Sequence, residues 1–502
     1  MCGIAIAVNC DILPILEVQK KRGPDLTKVV KKGNIQFGHN LLSIIGHCEQ
    51  PLQNDRYMMT FNGCWYDYRD FYNTNSDTDA LFQHFNKKGL SAIDDVNGMF
   101  AIGLYDSLEQ KIHCFVDRFG QKPLYYYHKD KKFAVASSPA GLFHLQEKWE
   151  LDREALQSYW LLGGTMGDNH LFKGIKKLCA SDRLTYDINK DTIEIVRYYT
   201  PKPRNENIEE LVVDAIDKVK VSDVPVHIFL SGGVDSSIVA SRFKGGLAVH
   251  LDSPEIQYAQ EVADKYSISL NVLSPQTFHV EHCLTDFSKQ SGEPCMAALI
   301  PYITASEVSK FGRVAITANG ADELFFGYDR TSDAVTPKQL SHLFRASLGT
   351  NSDFMPFFPS ASGRSLELER YVQYDLNKTL DFASMCHSLE VRAPFLDHRL
   401  VEAALSIPES EHRKRGNKTI LKNMLRKLGF SNQFIDRPKV GFSLHYKPEG
   451  LDRYIKYCWK WVQESGFLKI KGELTGRDAR YLEMSAVSFY FWYQTWKDKI
   501  IL

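Results

Sequence analysis

Apolar positions early in the chain fall in short runs rather than at helical spacing. Gly3 to Val8, Ile35 to His39, Tyr57 to Phe61, Met99 to Tyr105, Lys111 to Val116 and Lys132 to Ala136 are apolar or alternating. Turn signals such as Lys32-Gly33-Asn34 and Asn62-Gly63 separate them, so the pattern predicts strands. Asp79 to Asn86 puts Leu81, Phe82 and Phe85 on one face, as a short helix does. Dense strands with few long helices predict a layered sheet unit of about 190 residues.

The rhythm changes after Tyr199 to Asn207, a Pro-containing polar stretch that reads as a linker. Ile208, Leu211, Val212, Ala215, Ile216 and Val219 recur at helical spacing. The buried-strand run Val226 to Leu230 follows, then the loop Ser231 to Ser237 and a helix. The strand Leu247 to Leu251 leads into Ser253-Pro254-Glu255, read as a helix start with Ser253 as cap. A further strand, Val314 to Thr317, ends in Asn319-Gly320-Ala321-Asp322-Glu323. Strands alternating with helices predict a parallel sheet covered on both faces. Helical patterns dominate from about residue 370 onward.

Composition narrows the class. A chain of 502 residues is too long for one core and predicts two or three domains. Lys plus Arg and Asp plus Glu are both 61, and a net charge of 0 argues against a chain built to bind nucleic acid or an anionic membrane. Ten cysteines without a C-x-x-C pair fit a reduced compartment better than a disulfide scaffold. With no basic leader and no apolar run near the ~18 residues that span a bilayer, the expectation is a cytoplasmic enzyme.

Three motifs carry chemistry. Ser231-Gly232-Gly233-Val234-Asp235-Ser236-Ser237 follows a buried strand and opens a helix. Its glycines let backbone amides approach an anion, its serines add donors, and Asp235 can hold Mg²⁺ on phosphates. No G-x-x-x-x-G-K-[ST] occurs, so this is not a Walker loop. Asp322-Glu323 also follows a parallel strand and falls on the same sheet edge, where it can share that metal. Met1-Cys2-Gly3 is the third: loss of Met1 leaves a cysteine whose own α-amine can act as its base.

Met1-Cys2-Gly3-Ile4, Arg22-Gly23-Pro24-Asp25, Phe61-Asn62-Gly63 and Asn97-Gly98-Met99-Phe100-Ala101 resemble the class II glutamine amidotransferase domain. Ser222 to Ser237, Gly320 to Tyr328, Ser388 to Leu400 and Lys439 to Phe442 resemble glutamine-dependent asparagine synthetase. The resemblance runs in order along nearly the whole chain. It implies an α/β and α+β two-domain protein: an N-terminal-nucleophile αββα sandwich over residues 2–198, then an ATP-pyrophosphatase domain over 206–502. The second domain would hold a parallel sheet and a helical C-terminal part.

The resemblance makes Cys2 the nucleophile on the glutamine carboxamide, with Asn62 and the Gly63 amide as oxyanion donors. Glutamine would lie against Leu41, Leu42, Ser43, Ile44 and Ile45, with Asp77 on its α-amine. ATP would lie against Leu230, Val249, Thr317 and Ala318, its phosphates on Ser231, Gly232, Gly233, Asp235, Ser236 and Ser237. Mg²⁺ falls to Asp235 and Asp322, the α-phosphate to Lys439, and the acceptor pocket to Glu390, Arg392 and Asp397, which read equally well as a structural ion-pair network. Two departures stand out. Leu41 occupies the place of an Arg that pairs with the glutamine α-carboxylate, so another cation must serve or glutamine binds weakly. Asn319 replaces an acidic residue, usually Glu, just before the metal Asp.

The leading expectation is amidation of aspartate to asparagine by glutamine, with ATP split to AMP and pyrophosphate. The partners are small molecules, with no nucleic acid and no membrane, and a homodimer is compatible. Amidation of another carboxylate (a sugar acid, a peptide or a natural product) is the second reading. Intramolecular amide closure is a third, against which Cys2 argues, and a regulatory protein with a decayed site is the fourth. His279 with His282, and His412 to Arg415 with Lys418, read as solvated faces, though a nucleotide-phosphate role is open to the latter cluster. The aromatic run Ala486 to Trp496 reads as core packing of a terminal helix.

Overall fold

The computed structural model describes residues 2–328, 331–332, 363–438, 448–468 and 476–501. The first half builds two six-stranded antiparallel sheets. One runs, in spatial order, Ile175–Lys177, Tyr125–Lys129, Lys132–Ala136, Gly3–Val8, Ile35–Leu41 and Leu26–Lys32. The other runs Thr192–Arg197, Asp182–Asp187, Lys111–Val116, Gly98–Asp106, Tyr57–Trp65 and Leu52–Gln53. Side chains alternate across a strand, so each sheet presents one apolar face to the other. Ile4, Ile6 and Phe37 of the first sheet meet Met58, Ala101, Tyr105 and Ile112 of the second in one buried cluster. The outer faces take helices. Ala5, Ala7 and Ala134 lie under the helix Leu13–Val18, and Phe115 packs on Phe85 of the helix Asp77–Lys88. The layering is αββα.

One expected turn lies inside a strand. Asn62-Gly63 sits within Tyr57–Trp65, paired to Ala101 and Phe100. Gly63 has φ +154°, and a Cβ there would stand 2.0 Å from the Met99 carbonyl oxygen. Glycine is needed for this close approach of two strands, not for a reversal of the chain.

The second half is organised by a five-stranded parallel sheet. Its order is Ser269–Leu273, Leu247–Leu251, Val226–Phe229, Val314–Ile316 and Glu390–Arg392. The chain builds outward from Val226–Phe229 in one direction, then returns to build in the other. The loops after Val226–Phe229 and Val314–Ile316 therefore flank the point where the order reverses, the place where such sheets bind ligands. Ser253 does not cap the next helix. Ile256–Lys265 starts after Glu255, and the Ser253 hydroxyl instead contacts His250 Nε2 at 3.0 Å and accepts from Glu255 N. Helices fill most of the remainder. In the last, Gly476–Trp496, Phe489 and Trp492 are buried, and Ile500–Ile501 beyond it pairs in parallel with Trp149–Glu150. Among the described residues no helix is long and apolar enough to cross a membrane.

Candidate functional site

Cys2 precedes the inner strand Gly3–Val8, and its position is fixed from both sides. Its backbone N donates to Asn62 Oδ1 at 2.8 Å, and Arg22 Nε donates to its carbonyl at 3.2 Å. Asn62 is fully buried and its Nδ2 has no hydrogen-bond partner. Burial pushes the Cys2 thiol up, against the pull of the chain-terminal ammonium.

A pocket beside Cys2 is lined by Leu41, Leu42, Ser43, Ile44, Ile45, Gly63, Asp77, Glu390 and Arg392, among others. Its loop is held by carboxylates. Ser43 N donates to Asp25 Oδ2 at 2.9 Å, and Asp25 pairs with Arg313. Gly46 N donates to Asp223 Oδ2 at 2.7 Å, and Asp223 N donates back to the Ile44 carbonyl at 2.9 Å. Asp25 belongs to the Arg22-Gly23-Pro24-Asp25 motif, in which a Cβ on Gly23 would stand 2.1 Å from the Asn40 carbonyl oxygen. Asp77 opens the helix capped by Ser76. It accepts from Trp65 N at 3.1 Å and Thr78 N at 2.9 Å. Burial nevertheless pushes its carboxyl up to about 7.

The expected acceptor pocket does not assemble. Glu390 and Arg392 are two apart on one strand, so their side chains share a face, and that face lines the Cys2 pocket. They pair at 2.6 Å. Asp397 instead caps the helix His398–Ser406, accepts from Arg399 N, and takes a hydrogen bond from Asn97 at 3.0 Å.

The second constellation lies at the reversal point of the parallel sheet. Gly232 has φ +79° and a Cβ there would meet the Ala259 backbone N at 2.6 Å, so the loop requires glycine. Gly233 caps the helix Val234–Ala240. Ser231 and Ser236 hydroxyls lie 2.9 Å apart, and Ser237 Oγ donates to the Gly233 carbonyl at 2.7 Å. Leu230 N donates to the Val249 carbonyl at 3.0 Å, which sets both residues beside the loop. Thr317 and Ala318 follow the neighbouring strand Val314–Ile316, and Thr317 Oγ1 donates to Asn319 Oδ1 at 2.9 Å. The left-handed position belongs to Gly320, φ +95°, so Asn319 is not there for backbone geometry.

Lys418 is the residue whose importance the basic cluster hid. It is buried, and its Nζ pairs with both Asp235 and, at 2.5 Å, Asp322. Burial presses its ammonium down, and the two carboxylates more than offset this and hold it charged. The sequence signal was weak, because 183 residues separate Lys418 from Asp235. Two carboxylates converging on one cation match the donor set that Mg²⁺ uses together with phosphate oxygens. Among the described residues no group of three or more His, Cys, Asp or Glu could hold a metal unaided. Lys439 lies outside the described residues.

Comparison with known proteins fits this division. A family described as "Glutamine amidotransferase domain" matches residues 1–199, and one described as "Asparagine synthase" matches 207–362 and 359–488. Asparagine synthetase [glutamine-hydrolyzing] 1 of Bacillus subtilis is 27% identical over 88% of this chain and 85% of its own length. Asparagine synthetase [glutamine-hydrolyzing] 3 of the same organism is 27% identical over 92% and 89%. The putative asparagine synthetase [glutamine-hydrolyzing] 2 of Methanocaldococcus jannaschii is 27% identical over 65% and 76%. With one half matching the amidotransferase and the other the synthase, the chain belongs to the asparagine synthase family, as an ATP-dependent ligase that hydrolyses glutamine.

Proposed function

We propose that this ligase amidates a free carboxylate through an acyl-adenylate, most simply aspartate to asparagine. The observation that carries the reading is the convergence of Asp235 and Asp322 on Lys418 at the reversal point of the parallel sheet. It supplies acidic groups for a metal and a cation for phosphates at the edge where the Gly-rich loop opens a helix. Cys2 and its pocket then supply the nitrogen.

In the first site, loss of Met1 frees the Cys2 amine to take the thiol proton as sulfur attacks the glutamine carboxamide. Asn62 Nδ2 and the Gly63 amide receive the oxyanion, a contribution of about 3 kcal/mol for one such donor. Ammonia leaves, and water releases glutamate from the thioester. In the second site, the acceptor carboxylate attacks the α-phosphorus of ATP and pyrophosphate departs. Ser231, Ser236, Ser237 and the loop amides hold pyrophosphate, while Leu230, Val249, Thr317 and Ala318 surround the nucleoside. Asp235 and Asp322 would hold Mg²⁺, which when bound neutralises phosphate charge. Lys418 supplies a fixed positive charge beside them. Ammonia then displaces AMP from the adenylate. The domain division at 2–198 and 206–502 and a cytoplasmic location belong to the same proposal.

The test of the acceptor is AMP release with a panel of carboxylic acids, each with ATP and ammonia. Aspartate should lead the panel; AMP release confined to a sugar acid or a peptide would move the assignment to that acid.

Asn319 gives a second expectation. Its amide oxygen is engaged by Thr317, and an amide cannot accept the proton of incoming ammonia. A general base typically contributes roughly 10²- to 10⁴-fold, so Asn319→Glu should speed ammonia-dependent amidation of aspartate at least about 10-fold. Rapid asparagine formation by the wild type, without gain in the variant, would remove this role.

Asp77 predicts a pH dependence. Its carboxyl is pushed up to about 7, so it loses its charge as pH falls through that value. An ionised Asp77 attracts the glutamine α-ammonium, so KM for glutamine should fall as pH rises through about 7. Asp77→Asn should raise KM and flatten the profile. An unchanged profile in that variant would assign the titration to another group.

A further inference from the structure

Arg392 belongs to the edge strand of the parallel sheet, yet its side chain lines the pocket that contains Cys2, Leu41 and Asp77. It is fully buried. Nε donates to Glu390 Oε1 at 2.6 Å, and Nη1 donates to the Val219 and Val221 carbonyls at 2.6 and 2.5 Å. Nη2 is buried too and has no hydrogen-bond partner. Native interiors satisfy nearly all such donors, and because the Arg392 side chain lines the pocket, an acceptor on a bound ligand can satisfy this one.

Leu41 offers no charge, and among the described residues lining the pocket Arg392 carries the only cationic side chain. Arg22 also has an unpartnered Nη2, but it does not line the pocket and is engaged by the Cys2 carbonyl and Asp381. An α-amino acid presents a carboxylate and an ammonium together, and an amino-acid site needs one charge of each sign. Asp77 is the acidic partner already at hand.

We propose that Arg392 is the specificity-determining cation of the glutamine site, receiving the α-carboxylate on Nη2 while Asp77 takes the α-ammonium. This rests on the glutamine reading above. Glu390 engages Nε, which leaves Nη2 for the ligand. The cation comes from the synthase half, so the glutamine pocket is complete only when both halves are docked. Leu41 is then the apolar neighbour of a carboxylate held from the opposite domain, not a lesion.

The test compares the full-length chain on glutamine and on γ-aminobutyramide, which is glutamine without its α-carboxylate. The wild type should prefer glutamine by about 10- to 100-fold in kcat/KM, the value of one charge-assisted hydrogen bond. Arg392→Gln should abolish that preference through KM, with kcat/KM for γ-aminobutyramide little altered. Adding Leu41→Arg to Arg392→Gln should restore it, since a cation returns to the same pocket. Retention of the preference in Arg392→Gln overturns the proposal. If that variant does not fold, the wild type decides: equal use of the two amides overturns the proposal, while a preference of about 10-fold or more upholds it. Glutamine hydrolysis without preference leaves the glutaminase reading intact, and no hydrolysis of either amide removes both.

Discussion

Cys2→Ala is expected to abolish glutamine-dependent amide formation, by about 10⁴-fold or more, while ammonia-dependent formation continues. Cys2 lies in the sandwich half, against Asn62. The Gly-rich loop and its carboxylates lie on a separate sheet. Removing one sulfur from a buried site creates little void, and the Asn62 and Arg22 contacts to Cys2 are made by its backbone, which alanine keeps. Free ammonia bypasses the missing thiol and meets an intact second site. The measurement is product formation with saturating glutamine and, separately, saturating ammonium, beside a melting curve that shows the variant folded. Equal loss of both activities in a folded variant would contradict the separation of two sites.

Asp235→Asn should remove both activities together. The carboxylate faces Lys418 and is the anionic group that opens the helix Val234–Ala240. Asparagine there can neither balance the Lys418 ammonium nor hold Mg²⁺ as an anion. Loss of one preorganised electrostatic group at a reacting centre costs about 10²- to 10³-fold, and here metal and phosphate clamp are affected at once. Pyrophosphate release with ATP, aspartate and ammonia is the readout. Normal release would show that Asp235 takes no part in holding the phosphates.

The sequence revealed elements whose pattern is set locally and missed those set by distant contacts. Gly3–Val8, Lys111–Val116 and Leu247–Leu251 were readable because burial on both faces makes each a near-continuous apolar run. Leu26–Lys32 was missed because it is an edge strand with Lys28, Lys31 and Lys32 turned partly to solvent. Glu390–Arg392 was missed as a strand for a different reason: three residues with two charges resemble no strand, and only pairing with Val314–Ile316 makes them one. That docking is also what turns Arg392 toward Cys2. The Asn62-Gly63 pair misled because the same permissive backbone serves a turn and a close strand crossing.

The sites divide in the same way. The loop Ser231 to Ser237 could be read directly, since its chemistry is contiguous and its position follows from the strand and helix beside it. The resemblance pointed to Asn62 and Asp77 with Cys2. It could not place Lys418 between two carboxylates, and it grouped Glu390, Arg392 and Asp397 although the fold sends the first two to the Cys2 pocket and uses the third as a helix cap. Proximity across a domain interface leaves no periodicity in a sequence.

In the proposed reaction one chain joins glutamine hydrolysis to adenylation of a carboxylate. The most direct test supplies glutamine, ATP, Mg²⁺ and aspartate to the wild-type protein and measures glutamate, AMP, pyrophosphate and amide product in one reaction. AMP and pyrophosphate should equal the amide formed, with at least one glutamate per amide and no AMP when the acid is left out. Cleavage of ATP to ADP and phosphate, or glutamate accumulating with no AMP and no amide from any acid tried, would contradict it.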